Sequence, residues 1–305
     1  MSTTSMTESR TARKAHRSPT PEPATRPARP RRAAAVLRRA LSAAAALLWT
    51  ALVVVPVYWV VVTSLRDHAD FTGANPLVPP TDPTLANYRT VLDGDFTTYL
   101  VNSVVVTVAA VAVTVVVALM AAFSIVRHAG RWSRLSFRLY LLGLAIPLQA
   151  VIIPVYLLII RMHMYDSLMA IVLPSAAFAL PVTVMILVSF LRDVPRSLFE
   201  AMIVDGAGDW RMLFSLAAPL ARPALVTVAV YDGLQVWNGF LFPLILTQSG
   251  DTAVLPLALT LFRGQFGINV PATMAAVVLS TLPMLVVFVL ARRQLVAGLT
   301  AGFSK

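Results

Sequence analysis

Five stretches of this chain contain no Asp, Glu, Lys or Arg: Ala40–Leu65, Phe96–Val126, Leu139–Ile160, Ser167–Leu191 and Gly264–Ala291. A sixth, Pro223–Gly250, is interrupted only by Asp232. As a helix the shortest, Leu139–Ile160, is about 33 Å long at ~1.5 Å per residue, against a hydrocarbon core of about 30 Å. Several runs are rich in Val and Ile, which in water would suggest strands. In lipid a single span must satisfy its own backbone, so they are read as helices. The expected fold is an all-α polytopic membrane protein with six transmembrane helices. A composition of 58% hydrophobic and 13% charged residues excludes an ordinary soluble core.

Positive charge orients the spans. With the N-terminus inside, all but four of the 25 Lys and Arg residues are cytoplasmic, Arg66, Arg89, Arg161 and Arg263 being the exceptions. The positive-inside rule therefore places both termini in the cytoplasm. Topology also accounts for the net charge of +11, and no aromatic-interleaved basic patch accompanies it, so lipid and not nucleic acid is the expected partner. Absent cysteines exclude disulfides and thiolate metal sites. His16, His68, His128 and His163 lack ligand spacing, and no metal is expected.

Residues 1–39 are rich in Arg, Pro, Ala, Ser and Thr and read as a disordered basic cytoplasmic tail. The run after Arg39 is too long for a signal-peptide core and lacks a small-x-small exit, so 40–65 reads as an uncleaved first span. Residues 96–291 form the expected five-helix core, and 292–305 a short cytoplasmic C-terminal tail. The outside segments 66–95 and Gln248–Pro271, the second containing "LFRGQFG" (Leu261–Gly267), fit connectors as well as external contacts.

The cytoplasmic segment 192–222 breaks the apolar pattern with Glu200, Asp205, Asp209 and Arg211 around a Gly-Ala-Gly turn. Ser197 with Glu200 fits a capping box. Leu198, Ala201 and Met202 would share one helical face, Asp205-Gly206 supplies a turn, and Asp209 fits the cap of a second short helix. There Trp210, Leu213, Phe214 and Ala217 follow helical spacing as one apolar stripe, ended by Pro219 and Pro223. The segment reads equally as a loop packed on its own bundle or as a rigid knob offered to a soluble protein.

"EAMIVDGAGDWRMLFSLAAPL" (Glu200–Leu220) resembles the EAA loop of ABC importer permeases, with Glu200, Ala201, Gly206 and Pro219 in register. Met202 replaces a small residue of that pattern, and Asp205-Gly206-Ala207 matches its common core. "VWNGFLFPLIL" (Val236–Leu246) is similar to the signature of carbohydrate-importing, maltose-type permeases. "IPLQAVIIPVYLL" (Ile146–Leu158), "NYRTVL" (Asn87–Leu92), "VNSVVVT" (Val101–Thr107) and the C-terminal "GLTAGFSK" (Gly298–Lys305) also fit, so the resemblance covers about residues 40–305.

The resemblance implies a type I ABC importer permease fold with a cytoplasmic coupling helix in a bacterial cell membrane. It implies a second permease subunit, two copies of a cytoplasmic ATPase and an extracytoplasmic sugar-binding protein. ATP and Mg would bind the partner ATPase. No G-x-x-x-x-G-K-[ST] occurs in this chain, so it would be neither the enzyme nor the holder of a cofactor. Glu200, Ala201, Met202, Asp205, Gly206, Ala207, Trp210 and Pro219 would form the ATPase-coupling loop, with Leu198, Met202 and Trp210 as anchors. Polar residues within spans are candidates for a sugar path: Asp232 first, with Gln149, Gln235, Asn102 and Asn238 weaker and Trp237 able to stack on a sugar ring. An interhelical hydrogen bond or packing contact is the competing reading for each. A permease for another solute, or an ATP-independent carrier, remain the alternative functions.

Overall fold

The computed structural model describes residues 31–301 except 72, 74, 76, 129 and 262–268. Most of the tail 1–39, the external "LFRGQFG" segment beyond Leu261 and the last four residues therefore lie outside the described residues. The chain divides into two units, Met1–Val54 and Val55–Lys305. In the first, the described chain is helical from Arg31, upstream of the apolar run that begins at Ala40, and every side chain described from Val36 onward is exposed.

The described helices run in the order α1 (Arg31–Ser64), α2 (His68–Phe71), α3 (Ala86–Asp93), α4 (Phe96–Arg127), α5 (Arg131–Gly143), α6 (Leu148–Arg161) and α7 (Leu168–Arg192). They continue with α8 (Arg196–Val204), α9 (Asp209–Met212), a π turn (Leu213–Ala217), α10 (Ala218–Leu220), α11 (Arg222–Trp237), α12 (Leu241–Leu246), α13 (Leu255–Leu261) and α14 (Val270–Ala301). Among the described residues there is no strand.

In the second unit α4 lies along α7, and α11 packs against α4, α7 and α14. Between helices in lipid the attraction is close packing rather than expulsion of water, which favours small side chains at the seam. Ala110, Thr114, Ala118 and Ala122 recur every four residues on α4, and all four are buried. Against the lower part of this stripe the core holds Val184, Leu187, Val188 and Leu191 of α7. The Thr114 hydroxyl, bonded to the Ala110 carbonyl at 2.8 Å, also reaches the Ala176 carbonyl of α7 at 3.4 Å.

Four helices are long and apolar enough to cross a membrane singly: Val36–Ser64, Phe96–Arg127, Leu168–Arg192 and Val270–Arg292. Two bent pairs bring the number to as many as six: Arg131–Gly143 with Leu148–Arg161 at 103°, and Asp209–Leu220 with Arg222–Trp237 at 76°. Two of the expected spans are therefore not single helices. Leu139–Ile160 breaks ahead of Pro147, whose ring fixes φ at −70° and removes a donor. The break also seats α5 on α7, since a Cβ on Gly143 would come within 2.8 Å of Pro181 Cγ. Pro223–Gly250 breaks at Asn238-Gly239, after which the six-residue α12 begins.

Candidate functional site

The segment after α7 folds as two short helical pieces around a left-handed residue. Gly206 has φ +74°, a conformation that L side chains rarely adopt. The Gly206 N–H donates to the Ile203 carbonyl and the Ala207 N–H to the Met202 carbonyl, both at 2.9 Å. This pairing is a Schellman closure of α8, with buried Ala207 folded back over Met202 as the apolar contact such closures carry. Sequence and structure agree on the position of this turn.

Three local expectations are corrected. Ser197 does not cap α8: the helix starts at Arg196, and its N-cap, Pro195, offers no side-chain acceptor. Asp209 is the first residue of α9 rather than its cap, which is Gly208. The expected stripe of Trp210, Leu213, Phe214 and Ala217 is split, because the π turn at 213–217 widens the helix by one residue. Met212, Leu213 and Ala217 enter the core, while Trp210 and Phe214 stack at 6.0 Å, 62% and 63% exposed.

The same division runs through α8. Phe199 is buried and packs on Phe123 of α4 at 6.3 Å between ring centroids. Met202 lies half-buried against the same core. Leu198, Glu200, Ala201, Ile203 and Asp205 are exposed, and Val204 is 88% exposed. Phe199, which the residue types alone did not single out, is thus the rivet of α8. Its spacing of three from Met202 is the signal that marks this face. Asp209 also meets His128, beyond α4, at 3.6 Å. Pro219 lies in α10, next to the bend into α11.

One cavity lies beside α8 and another lies apart from it, between α7 and α11. The first, of about 770 Å³, opens where α4 and α7 end and α5 and α8 begin, lined by Arg127, Arg134, Arg138, Arg192 and Arg196 with a single acid, Glu200. The other, of about 360 Å³, lies between α7 and α11 and brings together Asp232, Gln235, Ser175, Tyr231 and Phe178. Asp232 is 1% exposed, and its Oδ2 accepts from the Thr183 hydroxyl of α7 at 2.8 Å. Its Oδ1 has no hydrogen-bond partner among the described residues.

The remaining sequence candidates go elsewhere. Trp237 is buried in a cluster with Phe96, Leu255 and Ala275. The Asn238 amide donates to the Leu234 carbonyl at 2.8 Å, finishing its own helix. The Asn102 amide donates to the carbonyls of Asp251 and Ala253 at 2.7 and 2.9 Å. Gln149 is exposed on α6, off the wall of either cavity. Among the described residues no group of three or more His, Cys, Asp or Glu is placed to hold a metal ion.

The chain is 34% identical over 253 residues to the diacetylchitobiose uptake system permease protein DasC of Streptomyces coelicolor, covering 83% of this chain and 92% of that protein. It is 31% identical over 276 residues to the trehalose/maltose transport system permease protein MalG of Thermococcus litoralis, covering 88% and 98%. A solved structure of a bacterial ABC transporter involved in alginate import shares the fold. One of its chains superposes with a TM-score of 0.77 at 19% identity, covering 84% of this chain and 96% of that one. The model of the family described as the binding-protein-dependent transport system inner membrane component matches residues 114–300. This chain, with its α8 knob and its buried Asp232 cavity, belongs to that family of inner membrane transport components.

Proposed function

We propose that the chain is the permease subunit of an ATP-driven importer for a sugar or oligosaccharide, and that α8 with the turn after it is its mechanical coupling to a separate cytoplasmic ATPase. The observation that carries this reading is the two-sidedness of α8–α9. Phe199, Met202 and Ala207 fix the element from beneath, while Val204, Trp210 and Phe214 offer an apolar surface that no described residue covers. An element anchored on one side and bare on the other can transmit displacement, as a flexible loop cannot. ATP-driven closure of two ATPases would move α8, and the spans would rock between outward- and inward-facing arrangements.

A second permease completes the path, and an external saccharide-binding protein delivers the cargo. Relatives named for diacetylchitobiose and for trehalose and maltose support a saccharide as the cargo. In this chain Asp232 and Gln235 are the proposed contributors to the path, since both line the α7–α11 cavity. The basic end carrying α8 is assigned to the cytoplasm by the positive-inside rule.

The test is purification from the native host under gentle detergent, followed by reconstitution, for the wild type and Val204→Asp. Val204 is 88% exposed, so the variant keeps the fold and places a charge on the docking surface. Recovery of an ATPase and a second permease with the wild type, and selective loss of the ATPase with the variant, is the expected result. A chain that purifies alone and moves solute without ATP would overturn the proposal.

A further inference from the structure

The arginine cavity at the basic end reaches the exposed face of α8 only through Glu200 and Ile203, and the docking residues Val204, Trp210 and Phe214 lie outside its wall. Five guanidinium groups face one carboxylate, Glu200. The helix ends there do not redress this balance. Two helices finish and two begin at the cavity, so their dipoles, roughly half a charge each, cancel. Among the described residues none of the five arginines forms an ion pair. Arg127 Nε is buried with no hydrogen-bond partner among the described residues. Arg192 is held in place by Phe137, its guanidinium lying 5.0 Å from the ring centroid. A concentration of like charge that the described residues leave without a paired carboxylate, with an orphan donor at its inner edge, calls for an anion from outside.

The wall is also apolar. Ile125, Phe137, Phe199 and Ile203 alternate with the arginines, and α4 and α7, whose last turns supply Arg127 and Arg192, are two of the membrane-crossing helices. We propose that this cavity binds a phosphate-bearing ligand at the cytoplasmic membrane surface, with the headgroup of an anionic phospholipid as the source that fits its half-apolar wall. Arg134 and Arg138, both exposed, supply planar forks suited to phosphate oxygens. Ile203 and Glu200 of α8 share the wall, so an occupied cavity would tie the coupling element to the lipid surface. That consequence for transport rests on the importer reading; the binding does not.

The test uses the full chain alone in phosphatidylcholine nanodiscs, with fluorescent phosphatidylglycerol and inorganic phosphate as probes. The expected result is saturable phosphatidylglycerol binding, weakened about tenfold by Arg134→Gln through loss of a charge-assisted contact and unchanged by Arg131→Gln. Arg131 sits at the same end but outside the cavity wall, so it reports general charge attraction. Displacement of the lipid by low millimolar phosphate would keep the phosphate site and overturn the lipid source. Equal weakening by both variants, or no saturable binding of either probe, would overturn the site. So would a result in which neither probe binds and Arg134→Gln instead releases a copurifying protein, since the cavity would then hold an acidic protein segment.

Discussion

The two ends of the bundle treat their polar and apolar groups in opposite ways. At the end opposite α8 several polar groups find their partners within the chain. The Asp166 carboxylate accepts from the Gln248 and Ser249 N–H groups and from the Ser249 and Thr252 hydroxyls, clasping the α6–α7 turn to the loop after α12. The Ser103 hydroxyl accepts from the Leu255 N–H at 2.8 Å, and Asn87 donates to the carbonyls of Ser64 and Arg66. At the basic end His128 and Asp209 meet in an exposed contact, while aromatic rings and arginines stand exposed. Satisfied polar groups need no outside partner. Uncovered ones mark where another molecule finishes the structure.

The comparison can be tested by substitutions of decreasing effect on stability. Phe199→Ala should cost about 3 kcal/mol, as for other buried Phe truncations, and hydrogen exchange should report release of α8 while α4 and α7 stay protected. Asp166→Ala, read by thermal unfolding in detergent, should cost about 2 kcal/mol through its charged hydrogen bonds. Those bonds, foremost the one from the Gln248 N–H, hold the Asp166 carboxyl below the usual carboxylate range. A lowered folded-state pKa stabilises above the unfolded value of about 3.9. The gap between wild type and Asp166→Ala should therefore persist at neutral pH and shrink as pH falls below about 4.

Gly206→Ala should cost about 1 kcal/mol because of the positive φ, with Gly206→Asn milder. Trp210→Ala should change stability by no more than about 0.5 kcal/mol yet depress ATP-dependent uptake after reconstitution. If Trp210→Ala instead unfolds the chain, the basic end is as self-sufficient as the other and the contrast fails.

The helical class, the family and the turn at Gly206 were legible in the sequence because each is written locally, in charge-free runs and in a glycine at fixed spacing. Of the breaks inside two of the runs, Pro147 marks one locally, but neither its 103° bend nor the break at Asn238-Gly239 was legible. The close approach of Gly143 to Pro181, almost forty residues away in the chain, is likewise something hydropathy does not register. Among the path candidates, Asp232 and Gln235 share a cavity, whereas Trp237 and Asn238 are consumed by core packing and helix termination. Sequence adjacency placed all four together, but the helix directs them to different faces. The arginines of the basic end were each visible as topology signals, and only folding gathers five of them around one cavity.

The π turn at Leu213–Ala217 has a genetic consequence. A π turn holds one residue more than the α-helical turn it replaces, so deleting a single codon there could restore ordinary winding. The upstream pieces would then turn by about 100° against the bundle, the angle per residue of an α-helix. Such a turn would pull Phe199 and Met212 out of the core they share with α4 and α7. The extra residue is therefore what lets the chain hold Met212 and Leu213 in its core while presenting Trp210 and Phe214 outward.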